Sequence, residues 1–156
     1  MKRFIIILFL VLGFSGFAAA QDYTTGIGLR GGPFVGLSVK HFVSSKGAVE
    51  GILASRWRGF EITGLYEVHN PFPDADRLKW YYGAGGHIGF YNGDNIRWHD
   101  EEGAYTVLGV DLILGLEYSF SEVPISLSLD WKPAFNLTGY SGFWGDGGAL
   151  SIRYIF

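Results

Sequence analysis

Val107-Leu108-Gly109-Val110-Asp111-Leu112-Ile113-Leu114-Gly115-Leu116-Glu117-Tyr118-Ser119-Phe120 is the stretch that decides the fold. Side chains alternate across an extended strand with a period of two. Leu108, Val110, Leu112, Leu114, Leu116, Tyr118 and Phe120 therefore share one face, and Gly109, Asp111, Ile113, Gly115, Glu117 and Ser119 share the other. Such a strand has two different surroundings, one apolar and one polar.

The same alternation recurs along the chain. Ile125, Leu127, Leu129 and Trp131 oppose Ser126, Ser128, Asp130 and Lys132. Phe60, Ile62, Tyr66 and Val68 oppose Glu61, Thr63 and Glu67. At the C-terminus Leu150, Ile152, Tyr154 and Phe156 oppose Ala149, Ser151, Arg153 and Ile155. The pattern predicts eight strands, at 23–31, 36–43, 48–56, 59–69, 79–91, 104–120, 125–138 and 148–156. In the third, Val49 and Leu53 oppose Glu50, but Ile52 and Ala54 blur the register. Short turns are expected at Gly32-Pro33, Ser44 to Gly47, Arg58-Gly59 and Ser121 to Pro124. Longer connections are expected at Asn70 to Leu78, Asn92 to Gly103 and Gly139 to Gly147. The 24 glycines are scattered, which suits close backbone approaches in sheets and works against helices.

The first residues read differently. Basic Met1-Lys2-Arg3 precedes the apolar run Phe4 to Leu12, and Ala18-Ala19-Ala20 offers an A-x-A-like processing site before Gln21. The run is shorter than the roughly 20 apolar residues of a spanning helix. The expectation is a cleaved signal peptide over 1–20 and one domain over 21–156. The chain has no cysteine, which excludes disulfides and a lipidated cysteine after the signal. Its net charge of −3, without a basic cluster, speaks against nucleic-acid binding.

Eight alternating strands fit two barrels. A soluble ligand-binding barrel turns its apolar face inward, and a membrane barrel turns it outward. About thirty bulky apolar side chains occupy the apolar faces, whereas a small barrel interior takes about a dozen, judging from three layers of four. Aromatics also gather near segment ends, among them Tyr23, Trp57, Phe60, Tyr66, Trp80, Tyr82, Phe90, Trp98, Tyr118, Phe120, Phe135, Tyr154 and Phe156. That placement matches the girdles of membrane barrels. The predicted fold is all-β, an eight-stranded antiparallel up-and-down transmembrane β-barrel.

With the apolar face in lipid, the lumen receives Arg30, Lys40, Glu50, Glu61, Glu67 and His87 from the first five strands. Asp111, Glu117, Asp130, Lys132 and Arg153 join them from the last three. A buried unpaired charge is costly, so these groups are expected to pair across the lumen. Arg153 and Lys132 against Glu117, Asp130 and Glu67 are the first pairs to consider. Gly83, Gly85, Gly89, Gly109 and Gly115 would make room for the longer side chains.

No catalytic, cofactor-binding or metal site is expected. His41, His69, His87 and His99 lie on separate segments without metal-ligand spacing. A Gly-x-Ser-x-Gly motif is absent. Gly83-Ala84-Gly85-Gly86-His87 lies mid-strand with no following helix, so it does not read as a phosphate loop.

The segments Gly26 to Gly32, Trp80 to Gly85, Gly115 to Tyr118, Leu129 to Phe135 and the last strand resemble the small eight-stranded outer-membrane β-barrel proteins of Gram-negative bacteria, the OmpA- and OmpX-like group. The resemblance implies an outer-membrane location, contact with membrane lipid and lipopolysaccharide, and recognition by the barrel-assembly machinery. It places Tyr154 and Phe156 in the aromatic positions of the assembly signal, with Ser151 where glycine is usual. A peptidoglycan-binding domain, frequent after such barrels, is not expected in this chain. The expected function is a non-enzymatic integral barrel with a structural, envelope or surface-interaction role. Its external partner is left open. A small pore or transporter, and a soluble exported ligand-binding barrel, are the alternatives.

Overall fold

A computed structural model describes residues 23–56, 59–92, 104–138, 142–145 and 147–156. Among them the regular structure is all strand: β1 (Thr25–Gly31), β2 (Val35–Phe42), β3 (Gly47–Arg56), β4 (Gly59–Phe72), β5 (Ala75–Asn92), β6 (Ala104–Ser119), β7 (Ile125–Trp131), β8 (Ala134–Thr138), β9 (Gly142–Trp144) and β10 (Gly148–Ile155). Ten segments make eight staves. Both β7 and β8 pair antiparallel with β6, while β10 pairs with β7 and β9 with β8. Each of the last two staves is thus one strand with an interruption. The seventh breaks at Lys132-Pro133, where proline has no N–H to give the ladder. Bonds from Lys132 N to Gly147 O and from Leu112 N to Pro133 O, both 3.0 Å, carry the pairing across the gap.

Neighbouring staves pair antiparallel in sequence order, and β10 returns to β1 with Gly26 opposite Ile155 and Gly31 opposite Leu150. The barrel is closed. Partners followed once around run Ile125, Tyr154, Ile27, Val39, Gly51, Gly64, Gly86, Val110 and Phe135. The circuit returns to the seventh stave ten residues further along. Such a stagger requires tilted strands, by about 35–45°, and eight strands leave an interior just wide enough for side chains.

Two expected boundaries shift. The connection foreseen over Asn70 to Leu78 is instead a tight turn, with Phe72 opposite Ala75 and a register shift between Pro71 and Phe72. Asp74 closes that turn at φ 59°, a left-handed conformation that aspartate tolerates better than most residues. Val43–Lys46 and Phe120–Pro124 connect staves at the same end, where both chain ends of the barrel also lie. The opposite end carries the longer connections.

The alternation resolves as an inverted solvent pattern. Leu29, Leu37, Leu53, Ile62, Leu112, Leu129 and Ile152 are exposed on the outside, while Arg30, Lys40, Glu50, Glu67, Glu117 and Arg153 are buried inside. Aromatic pairs sit towards the ends of this outer face. Trp80–Tyr82, Tyr118–Phe120 and Tyr154–Phe156, with ring centroids 5.6, 5.0 and 6.1 Å apart, lie towards the end of the short turns. Phe60–Phe90 and Phe135–Phe143, at 5.0 and 4.8 Å, lie towards the other. Tyr23 departs from the expected girdle. It is buried in the lumen edge-on to Phe42, with its ring centroid 5.2 Å away. Trp57 and Trp98 lie outside the described residues.

The interior is not uniformly polar. Ile52, Ala54, Leu65, Tyr81 and Ile113 form a buried apolar cluster, and Phe34 from the β1–β2 connection packs against it. The blurred register of the third strand has this origin: Ile52 and Ala54 point inward. A second cluster, Tyr23, Phe42, Ala48 and Ile155, fills the end of the short turns.

Candidate functional site

The lumen holds the ionisable groups, in two clusters. The larger is centred on Lys40 of β2 and Arg153 of β10. Lys40 Nζ lies 2.8 Å from Glu67 Oε2, 3.4 Å from Glu117 Oε2 and 3.6 Å from Glu50 Oε2. Arg153 donates from Nη2 to Glu50 Oε1 (2.5 Å), from Nε to Ser38 Oγ (2.8 Å), and from Nη1 to Ser128 Oγ (2.7 Å) and Glu117 Oε2 (3.4 Å). Guanidinium suits this role because its donors are fixed in a plane and fork to several acceptors.

Arg30 makes a two-pronged pair with Asp130, one prong at 2.7 Å and the other between Nη2 and Oδ1. Tyr81 ties this pair to the Lys40 cluster. Its hydroxyl donates to Asp130 Oδ2 at 2.8 Å, and Lys40 Nζ lies 4.1 Å from its ring centroid. His69 stacks on the same ring at 4.7 Å and places Nε2 at 2.9 Å from Glu67 Oε2. Gly115 permits this crowding, because a Cβ there would sit 2.6 Å from both Tyr81 Cζ and Asp130 Cβ.

The smaller cluster lies at the end of the longer connections. Lys132 Nζ is 2.5 Å from Asp111 Oδ1 and 3.6 Å from Glu61 Oε1. His87 places Nδ1 at 2.6 Å from Asp111 Oδ2 and Nε2 at 2.9 Å from Asn136 Oδ1. Tyr91 donates to Glu61 Oε2 at 3.2 Å.

All of Arg30, Lys40, Glu61, Glu67, Asp111, Glu117, Asp130, Lys132 and Arg153 are therefore inside, but most of the expected pairs are exchanged for others. Of those, Arg153 with Glu117 is formed. Asp130 belongs to Arg30, Glu67 to Lys40, and Lys132 to Asp111 and Glu61. Glu50 binds both central cations. Strand alternation placed these groups in the lumen, but partners on different staves carry no local signal.

Six buried carboxylates face four buried Lys and Arg side chains among the described residues. Neutral donors take up part of the excess, Tyr23 to Glu117 (2.6 Å) and Ser38 to Glu50 (2.5 Å) among them. The arrangement binds side chain to side chain across the barrel. Among the described residues, the histidine side-chain hydrogen bonds are with Thr25, Glu67, Asp111 and Asn136.

These features define a closed eight-stranded antiparallel barrel with its apolar surface outside and its charges inside. No family model matches the chain, and no curated protein matches it. Among solved structures, the N-terminal β-barrel domain of Pseudomonas aeruginosa OprF aligns with a TM-score of 0.67, covering 85% of this chain and 96% of that one. Sequence identity is 17%, so the likeness is one of fold.

Proposed function

We propose that this chain is a non-enzymatic integral β-barrel of the bacterial outer membrane with a structural, envelope or surface-interaction role. The observation that carries the reading is the outer surface. Large apolar side chains such as Leu29, Leu53, Leu112, Leu129 and Leu150 are about half exposed or more. Soluble proteins rarely expose apolar patches beyond a few hundred Å². A belt of this kind belongs in lipid, where closure satisfies every backbone group of the wall. The aromatic pairs towards either end suit the two membrane interfaces.

On this reading residues 1–20 direct export and are removed, and the longer connections face outward towards lipopolysaccharide. Tyr154 and Phe156 are exposed on the outer face of the closing stave, where the barrel-assembly machinery would read them. The filled, charge-paired interior supports a scaffold over a ligand-binding cavity. The apolar cluster of Ile52, Leu65 and Ile113 supports a closed barrel over a pore.

Cell fractionation combined with heat-dependent gel mobility tests the proposal. The expected result is recovery in the outer-membrane fraction as a species that shifts mobility on boiling. Recovery in the soluble periplasmic fraction would overturn it.

A further inference from the structure

Glu61, His87 and Asp111 come from β4, β5 and β6, each more than nine-tenths buried, and offer ligand atoms within 4.8 Å of one another. No sequence spacing announces them, because three neighbouring staves bring them together. One nitrogen and two carboxylate donors form a set suited to zinc and similar divalent transition metals.

Three features of the cluster point to a cation. First, His87 Nε2 faces Asn136 Oδ1 at 2.9 Å. A ring that donates its Nε2–H to a carbonyl has Nδ1 turned to the other side, the orientation usual around metal-ligating histidine. Nδ1 faces Asp111 Oδ2 at 2.6 Å, a contact that a proton on Nδ1 holds in the metal-free cluster and that a metal would take over. Second, Tyr91 holds the far oxygen of Glu61, while Oε1, which accepts from Thr63 Oγ1 at 3.2 Å, is turned towards the cluster. Third, a cation is present: Lys132 Nζ stands against Asp111 Oδ1 and Glu61 Oε1. The Lys132 ammonium and the His87 ring together face the two carboxylates, and a divalent metal would supply the same positive charge at one point.

We propose that the mouth of the barrel is a divalent transition-metal site formed by Glu61, His87 and Asp111, in which the Lys132 ammonium competes with the metal for one position. Lys132 sits at the interruption of the seventh stave, beside the Phe34 ring at 5.9 Å, and its flexible stem lets the ammonium withdraw. Metal binding then displaces the proton from His87 Nδ1 and releases the lysine ammonium towards solvent.

Zinc titration of the refolded barrel in detergent, read by calorimetry, tests this. Lys132→Met keeps the stem and removes the competing charge. It is expected to bind one Zn²⁺ per chain at least tenfold tighter than the wild type. Adding His87→Ala is expected to reverse that gain. Heat-dependent gel mobility reports that each variant is folded, and Lys132→Gln replaces any Lys132→Met that is not. Binding by the folded lysine variant no tighter than wild type, or undiminished by His87→Ala, would overturn the proposal.

Discussion

Arg153 Nη2 donates to Glu50 Oε1 at 2.5 Å across 103 positions of sequence, and both side chains are fully buried. Lys40 contacts the other oxygen of Glu50 at 3.6 Å, so one carboxylate is shared by two cations from two staves. The pair links β3 to β10, which are not neighbours in the wall. It braces staves that are three places apart in the ring.

Breaking this brace from one side leaves a buried charge without its partner, which typically costs about 3–5 kcal/mol. Arg153→Met is expected to lower stability by that order, and Glu50→Gln by less, because its amide oxygen still accepts from Arg153 and Ser38. Combining Arg153→Met with Glu50→Gln is expected to recover part of the loss. Urea unfolding of the lipid-reconstituted barrel, followed by tryptophan emission, measures all three.

Gly115 is where the wall makes room for Tyr81. A Cβ there would meet Tyr81 Cζ and Asp130 Cβ, both at 2.6 Å, so Gly115→Ala must displace the ring or the carboxylate. The expected loss is about 1–3 kcal/mol, the usual range for overpacking. Gly51 offers the contrast, since a Cβ there meets nothing within 4 Å. Gly51→Ala is expected to change stability by less than about 0.5 kcal/mol in the same assay.

The apolar cluster of Ile52, Leu65, Tyr81 and Ile113 bears on conductance. Hydrophobic constrictions block ions by excluding water. Planar-bilayer recordings of the wild type are expected to show no steady current. The double variant Leu65→Ser and Ile113→Ser is expected to conduct. A wild type that conducts as well as the double variant would remove the cluster from the account.

The outer wall was legible because its alternation is nearly pure: β6, β7 and β10 could be read residue by residue. The lumen was less so. Ile113 and Leu65 occupy positions that alternation assigns to the polar face, and nothing local shows that they gather with Ile52 in one cluster. Tyr23 carried the signature of an interface aromatic, yet its hydroxyl has a buried acceptor in Glu117, 94 residues away. The expected long connection over Asn70 to Leu78 contains Pro71 and Pro73, and proline is compatible with a strand end and with a tight turn. The break at Lys132-Pro133 did have a local signal in its proline. The ion pairs depend on register around the whole circuit, which single strands do not contain.

Replacing Leu112 by arginine tests the central claim, that the apolar face meets lipid, most directly. Leu112 lies midway along β6 on the outer face and is 51% exposed, while Val123 lies in a turn at the barrel end and is 44% exposed. In a bilayer, arginine costs about 2–4 kcal/mol at the midplane and about 0–1 near the interface. Unfolding of the lipid-reconstituted protein is expected to show a loss in the first range for Leu112→Arg and in the second for Val123→Arg. Equal, negligible losses at both positions would mean that water covers the belt, and would contradict the account.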